Sequence, residues 1–313
     1  MAAAVPLQNG PIFFSSNRDG NGEIYRLNAG EKEPEAQPVN LTNNASVAAP
    51  EDYAPAVSRD GRLVAFWRGN NSRSDLWIMN ADGTRQRQIT RGLDISSRAD
   101  FGPTGNLVFS VRDENYASAL YVLDSIEGTP RRLSIGARHA FGPIFSPDGR
   151  QTAFTGIVGE QGGILIMNPD GSNLRALVND TEDTKNYASF WTPDGSEIVY
   201  SAVRDTYFCG GITANPRRRH LDVKQAAKEN PVCYETKFYA VRVDTKAVRE
   251  ITREGIAGIG KVSPDGRRIV FSRTSPDGNS SDVYTADLDG RNEIRLTVNP
   301  AIDGVPVWGV LPR

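Results

Sequence analysis

A short segment recurs six times along this chain, and its spacing constrains the fold more than any other feature. The clearest copies are Ser58-Arg59-Asp60-Gly61-Arg62, Ser146-Pro147-Asp148-Gly149-Arg150, Thr192-Pro193-Asp194-Gly195 and Ser263-Pro264-Asp265-Gly266-Arg267, with a weaker copy at Gly102-Pro103-Thr104-Gly105. The glycines at 61, 105, 149, 195 and 266 lie 44, 44, 46 and 71 residues apart. A unit of this length cannot bury its own apolar face and must stack on its neighbours. Four short strands per unit make a propeller blade, so the expected fold is all-β: a six-bladed β-propeller of four-stranded antiparallel blades.

Residues 53–91 illustrate one unit. Ala54 to Ser58 reads as a first strand, and Asp60-Gly61 as a tight turn in which glycine accepts positive φ. Leu63-Val64-Ala65-Phe66-Trp67 is the second strand, Leu76-Trp77-Ile78-Met79 the third, and Gln88-Ile89-Thr90 the outer one. β-Branched and aromatic residues between Gly/Asp punctuation suit strands. The second strand carries a ring at one fixed position in all six units: Phe14, Phe66, Phe109, Phe154, Tyr200 and Phe271. The third strand does so in five, at Tyr25, Trp77, Tyr121, Tyr239 and Tyr284, with Leu165 in the sixth. Fixed ring positions are expected to pack blade against blade. A stripe of sugar-stacking rings is the other reading.

The chain opens on second-strand residues, Pro11-Ile12-Phe13-Phe14-Ser15. The matching first strand, Gly304-Val305-Pro306-Val307-Trp308, stands at the other end. The last strand is therefore expected to complete the first blade and close the ring, which removes free sheet edges. The expected organisation is a single domain over 1–313. Blade 1 spans 11–44 plus 302–310, blade 2 spans 53–91, blade 3 spans 96–135 and blade 4 spans 139–179. Blade 5 spans 186–253 with an insertion at 204–236, and blade 6 spans 257–298.

These repeats resemble the propeller of TolB-type proteins, a family of PD40 or WD40-like repeats. The family repeat reads Pro-x-Trp-Ser-Pro-Asp-Gly, an apolar strand ending in Phe-x-Ser, then Ile-Tyr-x-Met-Asn-x-Asp-Gly and a final Leu-Thr. Pro143-Ile144-Phe145-Ser146-Pro147-Asp148-Gly149, Ile24-Tyr25, Leu41-Thr42, Leu76-Trp77-Ile78-Met79-Asn80-Ala81-Asp82-Gly83 and Leu296-Thr297 match it. The resemblance covers nearly the whole chain and is to the propeller alone. The amino-terminal α/β domain of complete TolB proteins finds no counterpart here. The resemblance implies a non-catalytic module that binds a protein or peptide.

A net charge of −2 and a pI of about 5.9 give no global field for nucleic acid. No apolar run reaches the length of a membrane span, and a monomer is expected. The first residues lack the basic start of a signal peptide. The one irregular element lies between Val203 and Lys237, in the loop joining the second and third strands of blade 5. Cys209 and Cys233 bracket this loop, which also holds the basic run Arg217, Arg218, Arg219, His220 and a helix-like stretch, Leu221 to Glu229. A disulfide between the two cysteines, stapling the loop, is expected. It implies an oxidising compartment, periplasmic or secreted, which the family resemblance also implies. Two reduced thiols are the other reading. The basic run offers a surface for an acidic partner.

In a four-stranded blade, the loops joining strands two and three share a face with the inter-blade loops, opposite the uniform Asp-Gly turns. This variable face is where binding is expected. Glu51, Asp52, Tyr53, Arg98, His139, Lys185, Asn186, Tyr187 and Asp303 fall at its central funnel mouth. They suit a peptide, a saccharide, a small molecule or a cation, or form an ordinary solvated funnel. An arginine follows the second strand in five blades, at Arg18, Arg68, Arg112, Arg204 and Arg273. Internal ion pairs are the expected use, and an anion-binding rim is the alternative. Asp19, Asn21 and Glu23 alternate as in a Ca2+ loop, yet Asn28 stands where a bidentate Glu is needed, so a hairpin loop is expected and no cofactor is assigned. No catalytic residue is assigned. The competing reading is a propeller lyase or hydrolase on an acidic saccharide, with Tyr53, Tyr187, His139 and Arg98 converging in the funnel. The two histidines are too few for a His-ligated metal lyase.

Overall fold

The computed structural model describes residues 9–28, 30–44, 50–70, 73–205, 234–251, 260–275 and 279–311. Cys209, Cys233, the basic run Arg217 to His220 and the stretch Leu221 to Glu229 lie outside them. The described residues form six four-stranded antiparallel sheets arranged as the blades of a propeller. Within each blade the strands follow chain order from the axis outward. Blade 1 borrows its innermost strand, Asp303–Val310, from the other end of the chain. That strand pairs with Asn9–Ser16 through Ile12↔Trp308 and Phe13↔Val307, as the sequence predicted. The junction is tight, since a Cβ on Gly10 would meet the Val310 carbonyl carbon at 2.7 Å.

The core is divided among six apolar clusters, one at each blade–blade interface. Each cluster holds one of the repeated second-strand rings, all 4 % exposed or less. These rings sit directly opposite the third-strand ones, as in Phe14↔Tyr25, Phe66↔Trp77 and Phe271↔Tyr284. Stacked pairs form in blades 1, 3, 5 and 6 with centroids 5.6 to 6.1 Å apart. Burying one such ring stabilises the fold by roughly 1.5–3 kcal/mol, so the rings hold the interfaces.

The repeated turn builds itself from its own side chains. Ser146 Oγ donates to Asp148 Oδ1 at 2.6 Å and accepts from the Gln151 amide at 2.9 Å, while the Arg150 amide donates to Asp148 at 3.0 Å. The same bonds recur at Ser58, Thr192 and Ser263. The motif's proline has a second use. Pro103, Pro147 and Pro193 each lie against the turn glycine of the following blade, 2.6, 3.6 and 3.3 Å from where a Cβ would stand on Gly149, Gly195 and Gly266. Blade 2 has Arg59 at this position, and among the described residues nothing lies within 4 Å of the Cβ site on Gly105.

The innermost strands are irregular. Register shifts interrupt those of blades 1, 2, 4 and 5, and blade 3 pairs at Ile95↔Val111 and resumes at Asp100↔Val108 and Phe101↔Leu107. Residues 96–99 bulge between these two contacts. Bulges re-aim side chains, and here they place polar groups near the axis. In blade 5 the second and third strands pair as far as Asp205↔Tyr234, inside the 204–236 bounds expected for the insertion.

Candidate functional site

The arginine after the second strand meets an aromatic face and a carboxylate at once. In blade 2, Arg68 lies over Trp77 at 4.4 Å and donates through Nε and Nη2 to the two oxygens of Asp52 at 2.6 and 2.7 Å. In blade 1, Arg18 lies over Tyr25 at 4.9 Å and bonds Asp303 at 2.8 Å and Glu33 at 2.7 Å. In blade 6, Arg273 lies over Tyr284 at 4.9 Å and forks onto Glu293 at 2.6 Å. Forked, charge-assisted bonds of this kind fix an arginine firmly. Asp52 and Asp303, both expected at the funnel mouth, are thus buried ion-pair partners. Burial pushes the Asp52 carboxyl up against the pull of Arg68.

Blades 3 and 5 break the pattern. Arg112 bonds Asp94 at 2.8 Å and leans toward Tyr116 at 5.7 Å, so among the described residues no guanidinium covers Tyr121. A groove of about 730 Å³ opens there, lined among others by Arg73, Arg112, Tyr116, Tyr121 and Arg132. In blade 5 the residue opposite Arg204 is Thr184, where blade 2 has Asp52 opposite Arg68. Arg204 has no carboxylate partner among the described residues, and a pocket of about 330 Å³ lies beside it and Tyr239. Both openings fall at second-to-third-strand loops on the variable face.

The other predicted funnel residues are spread among local contacts. Glu51 is exposed. Tyr53 packs on Trp67 with centroids 5.1 Å apart, and its hydroxyl lies 3.4 Å from the Cβ site on Gly304. Tyr187 packs on Phe141 at 5.8 Å. Burial holds both phenol pKa values up, helped by Glu51 and Asp180 respectively, so both stay protonated at neutral pH. Lys185 is half exposed and 3.6 Å from Asp180, and Asn186 bonds the same carboxylate through its amide at 2.9 Å. His139 is exposed, on a backbone with φ of 50°. Of the Ca2+ candidates, Asp19 accepts from Asn40 at 3.0 Å and from Tyr25, Asn21 donates to Glu23 at 3.0 Å, and Glu23 also takes Thr42 and the Asn44 amide.

Sequence reading singled out Arg98 but missed the side chains around it. Asp100 in blade 3 and Lys261 in blade 6 occupy the same register position, where blades 2, 4 and 5 have Ala56, Ile144 and Phe190. Blades 3 and 6 stand opposite each other in a ring of six, yet Lys261 Nζ reaches Asp100 Oδ1 at 3.5 Å, so this pair spans the axis. Arg59 Nη2 approaches Asp100 Oδ2 at 3.6 Å, and Arg59 also bonds the carbonyls of Phe101 at 2.9 Å and Phe145 at 3.3 Å. The missed signal was in the repeat: a proline replaced by Arg59, and two charges at a position that is otherwise apolar.

The family model for the TolB beta propeller domain, PD40, matches residues 42–209. The chain belongs to the TolB beta-propeller domain family. The Tol-Pal system protein TolB of Anaeromyxobacter dehalogenans (strain 2CP-C) is 28% identical over 145 residues, 46% of this chain and 26% of that protein. The match thus spans about a quarter of that relative's length. The crystal structure of TolB from Acinetobacter baumannii superposes with a TM-score of 0.70 at 17% identity, covering 96% of this chain and 66% of that one. An oligogalacturonate lyase in complex with manganese superposes at 0.56 with 16% identity, covering 91% of this chain and 73% of that one. At such identities these superpositions show a shared fold, and a TolB-type propeller is a fold on which unrelated activities are built.

Proposed function

We propose that this chain is a non-catalytic propeller that binds a protein or peptide through its variable face, outside the cytoplasm. The observation that carries the reading is the groove at blade 3. There the arginine is withdrawn from its aromatic partner, leaving Tyr121 and Tyr116 beside Arg73, Arg112 and Arg132 in about 730 Å³ of open space. Tyrosine and arginine are the residues that most often dominate protein interfaces. The TolB relatives are named for a Tol–Pal system, which supports an envelope protein as partner. Of the four residues that an enzyme on an acidic saccharide would use in the funnel, Tyr53 and Tyr187 pack on Trp67 and Phe141 and stay protonated, so neither supplies a phenolate base at neutral pH.

The test is capture from an envelope extract of the source organism, with wild type, Tyr121→Ala, Arg132→Glu and a deletion of residues 210–232 as parallel baits. A partner held by wild type is expected to lose about tenfold in affinity with Tyr121→Ala. Undiminished capture by both point variants overturns the groove. Loss on the deletion alone moves recognition to the insertion.

A further inference from the structure

Apart from the groove, the axis of the ring carries a charge imbalance. Among the described residues, Arg59 and Lys261 reach a single carboxylate, Asp100, from blades 2 and 6, and the Arg98 guanidinium of blade 3 lies within the field of that carboxylate and of Lys261. One oxygen of Asp100 is already taken by the Phe145 amide at 2.9 Å. Arg98 stands in the 96–99 bulge. Its Nη2 makes one long bond of 3.4 Å to the Ser189 carbonyl across the ring, and its Nη1 is fully buried with no partner among the described residues. A buried guanidinium nitrogen without an acceptor is costly, and such groups are normally satisfied. The side chains of Lys261 and Arg59 remain 20% and 34% exposed.

We propose that Arg98, Lys261 and Arg59 form a carboxylate-binding site on the propeller axis, in which a ligand oxygen accepts from the orphaned Arg98 Nη1 and competes with Asp100 for Lys261. A planar two-oxygen anion matches the guanidinium fork, which favours a carboxylate over a compact ion that interacts as a point charge. The carboxylate comes either from a free small diacid or from an acidic side chain of a peptide threaded into the channel. Asp100 then acts as an internal stand-in that holds the cations together until the ligand arrives. Desolvation, which outweighs the pull of Asp100, lowers the Lys261 pKa from 10.5 to about 8, and the neighbouring Arg59 and Arg98 push it the same way. Binding needs the ammonium form, so affinity falls as pH rises through about 8. Among the described residues, the charged groups facing Lys261 are Asp100, Arg59 and Arg98.

Isothermal titration at fixed ionic strength tests this with succinate, an acetylated tri-glutamate peptide amide, its tri-glutamine counterpart and inorganic phosphate. Wild type is expected to bind at least one of the two carboxylate probes and to ignore the glutamine peptide. Arg98→Gln and Lys261→Met are each expected to weaken binding at least about tenfold, and Lys261→Arg to restore it. Asp100→Asn is expected to tighten binding, which a purely structural role for Asp100 would not do. Arg59→Pro restores the residue that other blades carry at this position, so it removes a cation without disturbing the turn and keeps the test open if another variant folds poorly. Succinate binding alone marks a free diacid as ligand, peptide binding alone marks a partner-borne carboxylate, and both mark a site that reads the group itself. The proposal is overturned if neither carboxylate probe binds, if only phosphate binds, or if Arg98→Gln, Lys261→Met and Arg59→Pro all bind like wild type. Tyr121→Ala leaves this binding unchanged, which separates the site from the groove.

Discussion

Asp52 is fully buried with both carboxylate oxygens engaged, by Arg68 on one side and by Arg68 and Asn44 on the other. Such a pair adds little over a well-packed apolar one, but removing half of it leaves a buried charge with no partner. Asp52→Ala is expected to destabilise the fold by about 3–5 kcal/mol, read from urea unfolding at neutral pH. Asp94→Ala is expected to cost much less, because Asp94 and Arg112 are both partly exposed. A cost for Asp52→Ala equal to that of Asp94→Ala would refute this account. The sequence placed an acid and an arginine in each of these blades but could not pair them. Asp52 and Arg68 meet only because antiparallel register sets them opposite. Asp303 and Arg18 are 285 residues apart and meet only through ring closure.

The repeated turn was legible as a hairpin, whereas its function as a joint between blades was not. Ser-Pro-Asp-Gly predicts positive φ at the glycine, and Gly149 and Gly105 have φ of 71° and 83°. An alanine at either costs about 1–2 kcal/mol in backbone strain alone. The two sites then diverge, because the Cβ site on Gly149 lies 2.6 Å from the Pro103 ring while that on Gly105 is open. Gly149→Ala is therefore expected to lower the melting temperature clearly more than Gly105→Ala, by differential scanning calorimetry. Equal losses would mean that the Pro–Gly contact between blades carries no stability. Inner-strand limits were also misjudged from sequence. The strand of blade 2 begins at Glu51, three residues before its apolar run, because ladder bonds along the channel wall continue through polar residues.

At the scale of the whole ring, stability depends on closure. Deleting residues 303–313 removes Val307 and Trp308 from two blade interfaces and uncovers the edge of the strand Asn9–Ser16. The truncated chain is expected to unfold at lower temperature with a broader transition and to self-associate through that edge, seen by light scattering. A sharp, monomeric transition would show that the ring holds without its closing strand. The six-bladed ring, its closure and the aromatic interfaces were legible in the chain, because these follow from a periodicity that neighbouring residues carry locally. Which charges are used up and which are left over emerged from the folded ring. Asp52 and Asp303 were absorbed into ion pairs, while Asp100 and Lys261, 161 positions apart, were brought together across the axis. The physical reason is that a strand's pattern fixes which face a side chain takes, but only closing the ring fixes what stands opposite it.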